Sequence, residues 1–154
     1  MLAMRATTPT ILLTACFLVG CGGEVDPLRD DRARLDAIEP SDAAILALAR
    51  DDRTPALARG LFSAHCAVCH SVKGTGINGP NLTDDAYLNV ESPSDFFDVI
   101  SYGRHAKGMP AWEDTLGRAE RVLLAAYAAS LRGASDGGRA PEGDVLPPWD
   151  AFLE

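Results

Sequence analysis

Cys66-Ala67-Val68-Cys69-His70 constrains this chain more than any other stretch. Two thiols three positions apart lie on one turn of chain, so both sulfurs can add to the vinyl groups of a single porphyrin while the adjacent imidazole is carried beneath the ring toward its iron. A polypeptide built on that spacing must fold around a large flat cofactor, c-type haem. A thioredoxin-like dithiol needs a strand before the first cysteine and a helix after the second, and a zinc site needs further ligands at matching spacing. Neither pattern is present, so electron transfer leads the functional readings.

The other two of the four cysteines, Cys16 and Cys21, sit in an N-terminal segment of different character. Arg5 is its only charge before Cys21, and the apolar run from Ile11 to Val19 is too short to span a bilayer but suits a secretory leader. Residues 1–20 therefore read as a signal peptide. Leu18-Val19-Gly20-Cys21 resembles the lipobox of bacterial lipoproteins, in which cleavage before the cysteine leaves its thiol to carry a diacylglycerol. Cys21 is then the expected lipid-attachment site; ordinary secretory cleavage nearby and a weaker lipobox-like match at Leu13-Thr14-Ala15-Cys16 are the alternatives. Several acyl chains on one N-terminus exceed what stable anchoring requires, which places the body of the protein on the periplasmic side of a bacterial membrane. Gly22 after the acylated position favours the outer membrane by enteric sorting rules.

Loss of residues 1–20 leaves 13 basic against 22 acidic side chains, a net charge of −9. That balance argues against nucleic acid and favours a redox partner with a basic docking patch, although plain solubility explains it equally well. Glu24 to Glu39 is rich in Asp, Arg and Glu with little apolar periodicity, so residues 21–53 read as a solvated tether with one helix over 42–50, capped by Ser41, whose apolar side (Ile45, Leu46, Leu48, Ala49) either docks on the domain or stiffens the tether. The core domain is expected over 54–132 as an all-α arrangement of three to five helices. Leu57, Leu61 and Phe62 recur at helical spacing toward the cysteines, Val72 to Gly79 reads as loop, and Thr83 to Leu88 as a short helix. Ser92-Pro93-Ser94-Asp95 opens the next helix, and a last one beginning near Glu113 buries Val122, Leu123, Ala126, Tyr127 and Leu131. Residues 133–154 are expected to be extended or disordered, with Trp149, Phe152 and Leu153 able to dock, and no strand stands out.

An iron held by His70 needs a second axial ligand to shuttle electrons without binding small molecules. Met109 is the only methionine after the expected leader and lies in the turn Gly108-Met109-Pro110, which makes it the first candidate. His105 is the competitor in the same loop, whereas His65 adjoins the attachment point and reads as a surface residue.

Cys66-Ala67-Val68-Cys69-His70, Gly79-Pro80-Asn81-Leu82-Thr83, Gly108-Met109-Pro110-Ala111-Trp112 and Ala125-Ala126-Tyr127-Ala128-Ala129-Ser130-Leu131 together resemble a monohaem class I cytochrome c domain, of the kind found in haem-copper oxidase subunits. The resemblance implies a small cytochrome c fold around one covalent haem c, with Pro80 supplying a carbonyl to His70 and Trp112 near the haem edge. It also implies a small residue on the first helix where the last helix crosses, with Phe62 and Tyr127 beside it. That residue is usually Gly; here the position holds Ala58, with Gly60 offset by two. As function it implies an electron carrier between a donor and an acceptor protein, or a haem subunit of a terminal oxidase or periplasmic dehydrogenase. A gas sensor or peroxidase would need Met109 displaced.

Overall fold

The computed structural model describes Asp26, residues 28–134 and residues 137–153; the expected signal peptide and Cys21 lie outside them. Six α-helices are the main elements of the described chain: α1 (Arg32–Asp36), α2 (Asp42–Ala49), α3 (Thr54–His65), α4 (Ala67–His70), α5 (Asp95–Tyr102) and α6 (Arg118–Ser130). Two-residue strands, β1 (Ala86–Tyr87) and β2 (Asp144–Val145), pair antiparallel with Ala86 opposite Val145.

Helix α6 is the axis of the fold, in contact with α1, α2, α3 and α5. Its sequence predicts one apolar face, yet Leu124, Ala125, Ala128 and Ala129 are buried as well as Val122, Leu123, Ala126 and Tyr127. A helix that is apolar all round needs cover all round, and the segment expected to be a tether provides it. Leu28, Leu35, Ile45 and Leu46 are each at most 1 % exposed, so residues 28–49 are part of the core and not a solvated spacer. Their acidic side chains hold the helix starts of the domain. Gly117, at the N-cap of α6, has no side chain to offer; Asp36 Oδ1 accepts from Ala119 N at 2.7 Å, and Glu120 Oε2 accepts from Gly117 N at 2.6 Å. Asp42 Oδ1 likewise accepts from Ser94 N at 2.8 Å, just before α5.

Several expected boundaries shift for similar reasons. Thr54 is the first residue of α3, and its hydroxyl donates to the Leu48 carbonyl at 2.6 Å, which joins α3 to the end of α2. Ser92 is outside α5, which begins at Asp95, and Asp95 Oδ2 instead accepts from the amides of Glu91 and Ser92, both at 2.8 Å. No helix forms over Thr83 to Leu88, because Asp84 and Asn81 turn their side chains onto the following amides and the chain leaves as β1. The last helix starts at Arg118 and not near Glu113.

Where α3 crosses α6, Ala58 is completely buried and the Phe62 and Tyr127 rings meet edge to face at 5.2 Å. A Cβ on Gly60 would meet nothing within 4 Å, so Ala58 is the small buried residue on α3 and the offset glycine has no part in the crossing.

Candidate cofactor site

Helix α3 runs directly into α4, and this one extra turn brings Cys66, Cys69 and His70 to the wall of a cavity of about 660 Å³. The volume falls within the range of sites that enclose a small organic ligand or cofactor. Among the other residues lining it are Phe62, Phe96, Ile100 and Leu124, so its interior is largely apolar.

The chain after His70 reverses at Ser71, which sits in the left-handed region at φ 63°, and Ser71 Oγ accepts from Thr75 N at 3.0 Å. Ile77 N and Gly79 N both donate to the Cys69 carbonyl, at 2.8 and 3.0 Å, and Gly76 N donates to the His70 carbonyl at 2.9 Å. This loop carries Pro80 to the imidazole, whose Nδ1 lies 2.9 Å from the Pro80 carbonyl oxygen. A carbonyl only accepts, so the proton is on Nδ1 and Nε2 keeps its lone pair for a metal. Gly79 lies flat against the same ring: a Cβ there would come within 2.8 Å of His70 Cε1 and 3.0 Å of Nε2. Only a residue without a side chain fits between this backbone and the imidazole.

Burial lowers the His70 pKa, against the pull of the Pro80 carbonyl, and so favours the neutral imidazole that ligation requires. Burial and the neighbouring Cys69 push the Cys66 thiol up to about 11. A dithiol redox centre is favoured by a depressed thiol pKa and a strand before the first cysteine, whereas burial raises the Cys66 thiol and α3 precedes it, so both observations disfavour disulfide exchange.

Met109 also lines the cavity. Arg104 and Met109 exchange backbone hydrogen bonds at 2.9 and 3.2 Å around a tight turn, which Gly108 closes at φ 83°. Gly103 lets the turn pack down, since a Cβ there would lie 2.5 Å from the Pro110 carbonyl carbon. His105 is in the same turn but exposed and outside the lining, so the structure separates the two candidate ligands. Trp112 and His65 line the cavity together, their rings edge to face at 5.2 Å. Sequence reasoning missed the basic residues of the rim, Arg104, Lys107 and Arg139, accompanied by the acidic Glu142. It also missed Asn81, which is 6 % exposed and whose Oδ1 accepts from Thr83 N and Oγ1 at 2.9 and 2.7 Å.

Two thiols at the attachment spacing, an imidazole with its tautomer set and a thioether, all around one apolar cavity, define a c-type cytochrome domain. Residues 53–127 match the family described as cytochrome c oxidase, cbb3-type, subunit III. Over 76 residues the chain is 37 % identical to the cbb3-type cytochrome c oxidase subunit FixP of Bradyrhizobium diazoefficiens, covering 47 % of this chain and 26 % of that protein. It is 34 % identical over 85 residues to the FixP subunit of Azorhizobium caulinodans, covering 52 % and 29 %. The chain thus spans little more than a quarter of the length of these curated relatives. Cytochrome cL of the methylotroph Methylophaga aminisulfidivorans superposes with a TM-score of 0.50 at 26 % identity, over 55 % of this chain and 57 % of that one. The chain contains a monohaem c-type cytochrome domain similar to those of oxidase subunits, and this domain carries one covalently bound haem c.

Proposed function

We propose that the protein is a periplasmic, membrane-tethered cytochrome that passes single electrons between a donor and an acceptor protein. The observation that carries this reading is the single cavity holding Cys66, Cys69, an oriented His70 and Met109. Cys66 and Cys69 would hold the porphyrin as thioethers, and His70 Nε2 and Met109 would be the two side chains that ligate its iron. Bound haem supplies the redox chemistry, its iron alternating between the ferric and ferrous states. The chain's own residues set how easily that happens. Pro80 holds His70 as a strong donor, and the apolar lining keeps water from the metal. Trp112, Arg104 and Lys107 at the rim suit the propionate carboxylates by hydrogen bonding and charge. Ligation by both His70 and Met109 would leave the iron no position for a substrate, which disfavours a peroxidase or gas sensor.

Acylation of Cys21 is the proposed means of membrane attachment. No helix of the described residues is long and apolar enough to cross a membrane. The similarity to FixP favours a second reading, in which the same domain is the haem c subunit of a larger oxidase. Protein matured with c haem should take up one electron per chain, reversibly, in a potentiometric titration and should purify without stoichiometric partners. A stable complex with catalytic subunits would instead establish the subunit reading; carbon monoxide binding to ferrous iron with Met109 still in place would contradict both.

A further inference from the structure

The C-terminal segment lies beyond the matched family domain, which ends at residue 127, and its contacts converge on the loop that orients His70. Residue Arg139 makes four of them. Its amide donates to the Thr75 carbonyl at 2.8 Å, and its own carbonyl accepts from Asn81 Nδ2 at 3.2 Å. Its guanidinium Nη1 donates to the Asn78 carbonyl at 2.7 Å and reaches the Ile77 carbonyl at 3.4 Å, while Nε pairs with Glu142 at 2.5 Å. Asn78 and Asn81 are the residues on either side of Gly79-Pro80, so one residue grips both ends of the dipeptide that lies on the imidazole and accepts its proton.

The rest of the segment is shaped to bring Arg139 there. Gly138, at φ 125°, passes so near the loop that a Cβ would lie 2.3 Å from the Thr75 carbonyl oxygen, and Gly143, at φ 102°, passes Tyr87 as closely. Farther along, β2 pairs with β1, Arg132 holds the Leu146 and Pro147 carbonyls, and Trp149 Nε1 donates to the Ala129 carbonyl at 3.0 Å. The segment is a strap anchored on α6 at one end and on the proximal loop at the other.

We propose that Arg139 is a positioning residue for the haem's proximal ligand, clamping Asn78 and Asn81 so that the Pro80 carbonyl stays on His70 Nδ1. This rests on His70 being that ligand. Loss of the guanidinium frees the Asn78 side of the loop, and the Pro80 carbonyl spends part of its time off the imidazole. The test uses full-length ferrous holoprotein, in which solvent exchange of the His70 Nδ1 proton is followed by NMR. In Arg139→Ala that exchange should be about tenfold faster, the loss expected of one net hydrogen bond, while the amides of Leu123 to Ala126 in α6 keep their wild-type rates. Gly138→Ala, which lifts the strap backbone from Thr75, should reproduce the effect, and Arg139→Lys should restore part of the protection. An unchanged His70 proton in Arg139→Ala, or acceleration shared equally by the α6 amides, would overturn the proposal while leaving the electron carrier intact. A wild-type protein without a low-spin haem spectrum would overturn the proposed function, and the role of Arg139 with it.

Discussion

Gly79 and Pro80 act on His70 from two directions, one by steric contact with the ring and one by hydrogen bonding to its edge. A methyl group at position 79 must push the imidazole or the loop aside, so Gly79→Ala is expected to destabilise the holoprotein by about 1–3 kcal/mol, as overpacking does, and to lower its Tm in calorimetry. The carboxylates that hold helix starts give a pH dependence. Burial raises the Asp42 pKa, but the Ser94 amide and the Ser94 and Ser92 hydroxyls outweigh it, and Arg53 holds Asp51 at about 2. Both groups sit below their ordinary value of 3.8, so their contribution is complete above that pH and is lost as pH falls through the lower folded values. Asp42→Asn should reduce stability at neutral pH and flatten the acid limb of stability against pH measured by urea unfolding. The candidate ligands were legible in the sequence because attachment chemistry demands contiguous cysteines and histidine, and because Met109 had no rival methionine. Gly79 against the ring and Arg139 across the loop were not, since neither contact leaves a local pattern.

At the scale of elements, the segment before residue 54 shows how a charge-rich stretch misleads. Before Ser41 its apolar residues are scattered among charges, but Leu28, Leu35 and Ile45 all reach the same core. Arg118 binds it further, donating to the carbonyls of Asp36 and Ile38 at 3.2 and 2.9 Å. Asp36 caps a helix more than 80 positions away, a partnership that capping rules read along the chain cannot find. Leu35→Ala discriminates the two pictures. A solvated tether would lose nothing, whereas deletion of a fully buried leucine side chain should cost about 2–5 kcal/mol in urea unfolding. The central helices α3 and α6 were legible because their apolar residues are periodic; of the strap only the docking of Trp149 was, because Arg132 and Arg139 each anchor it singly.

For the whole molecule, folding of the acidic segment onto α6 changes how the domain would sit at a membrane. Four residues separate the proposed lipid on Cys21 from Asp26, where the described chain begins, and five fully extended Cα–Cα steps reach at most roughly 17 Å. On the proposed acylation the haem domain would be held close to the bilayer, which would favour a partner embedded in the same membrane over one that diffuses. Insertion of a flexible Gly/Ser stretch after Glu24 should slow electron transfer to a membrane-bound acceptor and leave transfer to a small soluble oxidant unchanged, as stopped-flow oxidation would show. The account as a whole rests on one iron ligated by His70 and Met109. The most direct test is the absorption spectrum of the oxidised holoprotein, where Met-to-iron ligation gives a weak long-wavelength band. The band should be present in the wild type, persist in His105→Ala and vanish in Met109→Ala; its absence from the wild type, or its survival in Met109→Ala, would contradict the account.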